Sequence, residues 1–269
     1  MIQLDPIAVE AGIGLVALDT VGSTNTEARL RAQRGERGPL WITALEQTGG
    51  RGRMDRAWVS PQGNLYASLL LSDPSPFVHA PELAFVAALA LRDAIIAEAP
   101  TLAPRLQFKW PNDLLLADEK CAGILIEGET VPDKSVSVVI GIGANCVSHP
   151  PTVPERPATD LKAHGAAVTP QQLLRRLSAT MCRRLGQWDG GRNFAQIRAD
   201  WLAAAGGIGA AIVVRNGRAE KHGRFAGLDY SGRLILEFPD GGVEYVSAGD
   251  VFPLDLAGSG RRQASGRAG

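Results

Sequence analysis

Between Glu46 and Trp58 the chain gathers Gly49, Gly50 and Gly52 with Arg51, Arg53 and Arg56, and the run closes on Trp58. Glycine lets the backbone take left-handed turns and approach a ligand closely. Each arginine offers a planar fork of donors for phosphate or carboxylate oxygens. Trp58 offers a face on which a purine can stack. A loop of this kind suits a polyanion with a flat end, such as ATP. Two plainer readings stay open at this point: a surface loop with solvated arginines, and an RG-rich RNA-binding segment. The run is short, strand-like segments flank it, and the chain has 28 basic and 28 acidic residues. A balanced charge of this kind argues against RNA. Neither the phosphate-loop order ending in Gly-Lys-Ser/Thr nor a dinucleotide glycine fingerprint is present.

A second group lies in KWPNDLLLADEKCAGILIE, residues 109 to 127. Pro111, Asn112 and Asp113 make a turn between strands. Lys109 and Lys120 bracket it, and a short hairpin would bring both to one end of a sheet. Asp113, between two cations, could hold Mg2+ or fix a lysine. Lys120 leads an apolar strand, where a lysine is costly unless an anion meets it. Gly123 in that strand signals close approach of a ligand to the backbone. An ordinary charged surface turn is the alternative. Third, Ser23, Thr24 and Asn25 cluster at a strand-to-helix turn. They read either as helix caps or as small donors facing a pocket, and one residue can do both. Fourth, Asn145 ends IGIGANC after two alternate glycines, as a ligand or as the turn after a core strand.

No spacing defends a serine–histidine–acid or cysteine–histidine arrangement. What remains is cations, glycines, one aspartate and small polar groups. That set suits phosphoryl or nucleotidyl transfer, where positioning and charge neutralisation do most of the work.

These groups need a frame. LVAL (15–18), LWITAL (40–45) and NLYASLLLS (64–72) read as strands. A helix is expected from Thr26 to about Gln33, with Thr24 and Glu27 at capping-box spacing and Gly35 as its stop. Residues 81–99 read as a buried helix with Pro81 at its first position. LQFKW, LLLA, KCAGILIEG and SVSVVIGIGANC give four strand-like pieces between 106 and 146, and the prolines of HPPTVPERP (149–157) make a loop. TPQQLLRRLSATMCRRLGQW and FAQIRADWLAAA are helical. After Gly206-Gly207 the texture changes to AAIVVRN, GRFAGLDY, GRLILEF and GVEYVSAG, short strands joined at NG, SG and DG turns. These expectations define an α+β fold: a mixed central β-sheet flanked by helices over 1–205, a small β-barrel domain over 206–256, and a disordered tail over 257–269. No internal repeat is visible.

At 269 residues a core forms without staples. Cys121, Cys146 and Cys182 make an odd count without a Cys-x-x-Cys pair, which reads as a reducing, cytoplasmic setting. The four histidines have no metal-ligand spacing. No apolar run approaches the roughly 20 residues of a membrane span, and the N-terminus lacks the pattern of a secretory signal.

In this order and at these distances, the four groups together resemble the biotin protein ligases. The carriers are Ser23-Thr24-Asn25, Gln47 with Gly50-Arg51-Gly52-Arg53 and Trp58, Lys109 to Asp113, Lys120 to Leu125, and Gly141-Ile142-Gly143-Ala144-Asn145. The match covers roughly 15 to 255, including the small C-terminal domain, whose SH3-like barrel the resemblance implies. It implies a two-step reaction: biotin and Mg·ATP give biotinyl-5′-AMP and pyrophosphate, and a lysine of a biotin carboxyl carrier protein then takes the biotinyl group. Carried over, Ser23, Thr24, Asn25, Gln47, Gly50, Arg51 and Gly123 would hold biotin. Arg51, Arg53, Trp58, Lys109, Asn112, Asp113, Lys120 and Asn145 would hold ATP, with Asp113 on the metal and Lys120 and Arg53 catalytic. Trp58 would pack against adenine once the loop closes.

Two departures bear on this. Many relatives have glycine where this chain has Asp55, an acid that could pair with Arg53 or Arg56. Some relatives carry a helix-turn-helix domain first, whereas about 14 residues precede the first strand here. The expectation is therefore no operator binding and no repressor role. Relatives that pair through sheet edges make a homodimer one of the assemblies allowed. The rival is a lipoate ligase-type acyltransferase, which shares the KWPND-to-KxAGIL block in weaker form. A non-enzymatic biotin-binding regulator stands further off.

Overall fold

The computed structural model describes residues 2–151, 157–217 and 219–254. Most of the proline loop's interior and the expected disordered tail at 257–269 lie outside them. In chain order the elements are α1 (Pro6–Glu10), β1 (Gly14–Val21), α2 (Thr24–Gln33), β2 (Leu40–Gln47), β3 (Leu65–Ser72) and α3 (Leu83–Glu98). Then come β4 (Leu106–Lys109), β5 (Asp113–Leu116), β6 (Glu119–Thr130), β7 (Val136–Ala144), α4 (Pro170–Trp188) and α5 (Phe194–Leu202). Five strands close the order: β8 (Ala211–Asn216), β9 (Ala219–Leu228), β10 (Leu234–Glu237), β11 (Val243–Val246) and β12 (Asp250–Pro253).

The fold is α+β, as expected. Seven strands form one mixed sheet in the order β1-β2-β3-β7-β6-β5-β4. The β1–β2 pair is parallel, with α2 as the crossover. The other neighbours are antiparallel. Successive strand residues face opposite sides, so each central strand serves two purposes. Leu65, Ala67, Leu69 and Leu71 of β3, and Val138, Ile140 and Ile142 of β7, join α3, α4 and α5 in the main core. The opposite face packs Ala28 and Ala32 of α2 on Leu70 and Val139. That second face also carries the functional candidates.

The second sheet is antiparallel in the order β11-β10-β9-β8-β12. Its fifth strand, β12, is absent from the sequence reading: four residues around Phe252 and Pro253 carry too little pattern, and pairing to β8 creates the strand. Residues in and just after β4 reach α5 and the second sheet's β9–β10 turn. Phe108 stacks on Trp201 with ring centroids 5.4 Å apart, and Trp110 donates from Nε1 to Gly232 O at 3.1 Å.

Two helix starts differ from expectation. Helix α2 begins at Thr24, capped by Ser23, whose Oγ accepts weakly from Thr26 N at 3.5 Å. The Thr24–Glu27 capping box does not form, because the Thr24 hydroxyl is drawn into contacts with Gln47 and Ser68. Pro81 lies in a 3-10 turn, Phe77–Glu82, that precedes α3. Thr169 and Gln172 do form a reciprocal capping box on α4.

Cys121 and Cys146 are buried, and burial pushes both thiols up to about 12. At pH 8 about one such thiol in ten thousand is ionised, so neither is a nucleophile. Iodoacetamide at pH 8 should leave both unlabelled in the folded chain and label them after unfolding in urea. Peptide mass mapping reads the result.

Candidate active site

The residues singled out in sequence converge on one cavity of about 580 Å3. Its floor is the sheet face opposite the main core. Gly123 of β6 and Gly143 of β7 are register partners there. A Cβ on Gly141 would stand 2.2 Å from Asn25 Oδ1, and one on Gly143 would stand 2.6 Å from the Trp58 indole. The two alternate glycines of β7 thus make room for two site side chains. Lys120 reaches the same face through a bulge. The β5–β6 register shifts between Leu114 and Leu115, so Leu114 faces Ala122 while Leu115 faces Lys120. Cys121 and Ala122 both enter the core, which lets Lys120 and Gly123 share the cavity side.

One end of the cavity is polar and nearly neutral. The start of α2 supplies Ser23, Thr24 and Asn25, all buried. Thr24 N donates to Gln47 Oε1 at 2.9 Å, and Gln47 Nε2 donates to Ser60 Oγ at 3.0 Å. Asn25 Nδ2 donates to Glu127 Oε2 at 2.8 Å. Arg51 donates to Glu127 and to Thr26 Oγ1, each contact at 3.2 Å.

The other end is cationic. Lys120 Nζ meets Asp113 Oδ1 at 2.5 Å and stands 5.3 Å from the Trp58 ring. Arg53 Nη1 donates to Asn112 Oδ1 at 3.2 Å, and Asn112 Nδ2 donates to Ile124 O at 2.6 Å. Burial holds the Arg53 guanidinium below its ordinary value, with Asp250 and Asp113 partly opposing. It still remains charged at neutral pH. Lys109 lies over the Phe252 ring at 5.2 Å. Asn145 donates from Nδ2 to Thr159 O at 3.0 Å. The Trp58 indole rests on Gly143 and Gly123, so a base must stack on its other face or displace it.

Of the fourteen residues proposed from sequence, Gly50 alone does not line the cavity. It sits at the base of the arginine loop, accepting from Trp58 N at 2.9 Å, and a Cβ there would meet Trp58 O at 2.5 Å. The expected pairing of Asp55 with Arg53 or Arg56 is not formed. Met54 and Asp55 take φ of 53° and 54°, a left-handed kink that turns Asp55 outward. Arg56 instead makes a two-pronged pair with Asp250 at 2.7 and 3.0 Å, and Arg53 also donates to Gly249 O at 3.3 Å. The second sheet therefore closes the cavity from above.

Sequence reading missed Asp250, Gly249, Phe252, Ser68 and Glu127. The first three belong to a distant segment without local signal. Ser68 was legible as a lone hydroxyl in an apolar strand, and Glu127 as the residue four places beyond Gly123 on the same strand face.

Among the described residues no group of three or more His, Cys, Asp or Glu could hold a metal. Asp113 already meets Lys120, and Asp250 meets Arg56. The described residues therefore offer no cage of their own. A Mg2+ brought by phosphates needs only one or two carboxylates, and Asp113 lines the cavity.

Residues 18–145 match the Biotin/lipoate A/B protein ligase family, and residues 207–252 match the Biotin protein ligase C terminal domain. Fold and site thus define a ligase of the biotin and lipoate class. A biotin–[acetyl-CoA-carboxylase] ligase of Paracoccus denitrificans is 42% identical over 86% of this chain and 96% of its own. A bifunctional ligase/repressor BirA of Bacillus subtilis is 32% identical over 89% of this chain and 74% of its own. The structure of an Aquifex aeolicus biotin protein ligase in complex with biotin and ATP superimposes with a TM-score of 0.73, at 24% identity, over 89% of this chain and 97% of that one, a likeness of fold. The chain belongs to the biotin protein ligase family. Among the described residues no helix is long and apolar enough to cross a membrane.

Replacing Asp250 by Ala should free the arginine loop while costing the whole chain less than about 1 kcal/mol, since the pair is partly exposed. Trypsin should then cut at Arg53 or Arg56 several-fold faster, at an unchanged urea midpoint. Gly143→Ala should expel Trp58 from the floor, read as a red-shift of its emission in a variant lacking the other four tryptophans.

Proposed function

We propose that the chain is an ATP-dependent biotin–protein ligase acting on a biotin carboxyl carrier protein. The observation that carries this reading is the convergence of Arg53 and Lys120 with Thr24, Asn25 and Gln47 on one cavity under one loop. The names of the relatives support the same reading.

The polar end would take biotin's ureido ring, with Ser23, Thr24, Asn25 and Gln47 supplying donors and acceptors, Gly123 the close floor, and Arg51 a cation near the carboxylate. Biotin's carboxylate oxygen attacks the α-phosphorus of ATP. The bond to the bridging oxygen breaks, giving biotinyl-5′-AMP and pyrophosphate. Charge grows on the phosphate oxygens, and Arg53 and Lys120 are the groups placed to stabilise it. Asn112, Asn145, Lys109 and Trp58 line the nucleotide's side. When bound, Mg2+ would neutralise phosphate charge, with Asp113 as its protein oxygen. The carrier lysine's neutral amine then attacks the acyl carbon and releases AMP. The mixed anhydride needs no protein nucleophile, but it does need shelter from water. The loop held by Asp250 supplies that shelter.

A lipoate ligase reading is disfavoured by the same polar end. A lipoyl ring has no urea to pair with those groups, and unpaired buried polar groups are costly. We extend the proposal to two further points. The domain division falls at 205/206, and the chain works in the cytoplasm as a ligase without DNA binding. Three free cysteines and a formal net charge of zero support this. A homodimer through a sheet edge is compatible with it.

Mass spectrometry of a carrier domain after incubation with ATP should show one added biotinyl group with biotin and none with lipoate. Lys120→Ala should slow labelling about a hundredfold or more, the scale of losing one positioned stabilising group, about 3 kcal/mol. Lipoyl transfer at a comparable rate would overturn the reading.

A further inference from the structure

Glu127 does not line the cavity, yet it touches two residues that do, Asn25 and Arg51. We propose that Glu127 is a positioning residue: its carboxylate fixes the donor–acceptor order of the buried chain Asn25–Ser68–Thr24, and so fixes what the polar wall offers a cyclic urea. This rests on the biotin reading above.

The argument is a proton count. An ionised carboxylate only accepts. Asn25 must therefore turn Nδ2 to Glu127, at 2.8 Å, and its Oδ1 faces Ser68. That oxygen is acceptor-only, so the single Ser68 proton goes to it, at 2.6 Å. Ser68 Oγ also lies 2.7 Å from Thr24 Oγ1. Its own proton being committed, Ser68 must accept there, and Thr24 donates. The longer approach of Thr24 Oγ1 to Gln47 Oε1, at 3.1 Å, then carries no proton. That oxygen is served instead by Thr24 N at 2.9 Å. Gln47 is thereby oriented with its NH2 group toward Ser60, at 3.0 Å, and one N–H to spare. Toward the cavity, Thr24 shows a lone pair and Gln47 shows an N–H. A cyclic urea carries the complement, an N–H beside a C=O.

Ser68 and Asn25 are 0% and 4% exposed, so water cannot readily rescue a wrong order. Arg29 and Arg51 stand at 3.5 and 3.2 Å from Glu127 Oε1. Glu129, two residues on, also holds Arg29 but is hydrogen-bonded to neither Asn25 nor Arg51. It is the matched control for lost charge.

The test is the kinetics of biotin-dependent pyrophosphate release. Glu127→Gln keeps the shape but can present either oxygen or nitrogen to Asn25. Its biotin KM should rise about tenfold or more, the scale of a hydrogen bond to a charged group, with ATP KM within about twofold of wild type. Glu129→Gln should leave both unchanged. Combining Asn25→Asp with Glu127→Gln restores the order: the amide introduced by E127Q donates to one oxygen of the acid introduced by N25D, and the other oxygen accepts from Ser68. That double variant should recover biotin KM to within about threefold of wild type. An unchanged biotin KM in E127Q, a joint rise of both KM values, or a double variant no better than E127Q would each overturn the role. A wild-type chain inert toward biotin would instead overturn the functional reading on which the role rests.

Discussion

Several basic side chains share one half-enclosed cavity, and their mutual repulsion is the constraint that the rest of the site answers. Each is held by a partner of its own. Lys120 has Asp113, Arg51 has Glu127, and Arg56 has Asp250. Arg53 has the amide of Asn112 and the carbonyl of Gly249. Lys109 lies over Phe252. Charges this close in a water-poor space would otherwise splay apart. Paired in advance, they stay oriented, so little reorganisation is needed when a phosphate arrives. The partners come from β5, β6, the arginine loop's neighbours and β12. This is why a cavity on the first sheet depends on a strand from the second.

Geometry on the floor follows from strand alternation. One face of β3, β6 and β7 feeds the core, and on β6 and β7 the other is pared down to glycine where side chains must lie flat. The bulge at Cys121 is the single irregularity that brings Lys120 to the site side. Without it, the period of two would place Lys120 on the opposite face from Gly123.

Much of this was legible in sequence because the signals are local. The glycine–arginine run, Lys109 to Asp113, and Lys120 with Gly123 each declare a turn or a strand within a few residues, and the cavity brings them together. The Thr24–Glu27 capping box failed for a tertiary reason: a hydroxyl that could cap the helix is worth more in its bond to Ser68. Asp55 was open to pairing with an arginine, but a left-handed kink turns it to solvent, and Asp250, nearly two hundred residues away in sequence, takes Arg56 instead. β12 and its contacts were invisible because four residues of edge strand carry no period. Gly50 was grouped with the ligand contacts since a glycine beside arginines looks the same whether it makes room for a substrate or for Trp58 O.

The central claim is that this cavity joins biotin's carboxylate to the α-phosphate of ATP before any carrier is present. Isotope exchange between pyrophosphate and ATP measures that step alone. With biotin present and no carrier protein, the account predicts steady incorporation of labelled pyrophosphate into ATP, and none when biotin is left out. Exchange that proceeds equally without biotin, or that appears only once a carrier is added, would contradict it.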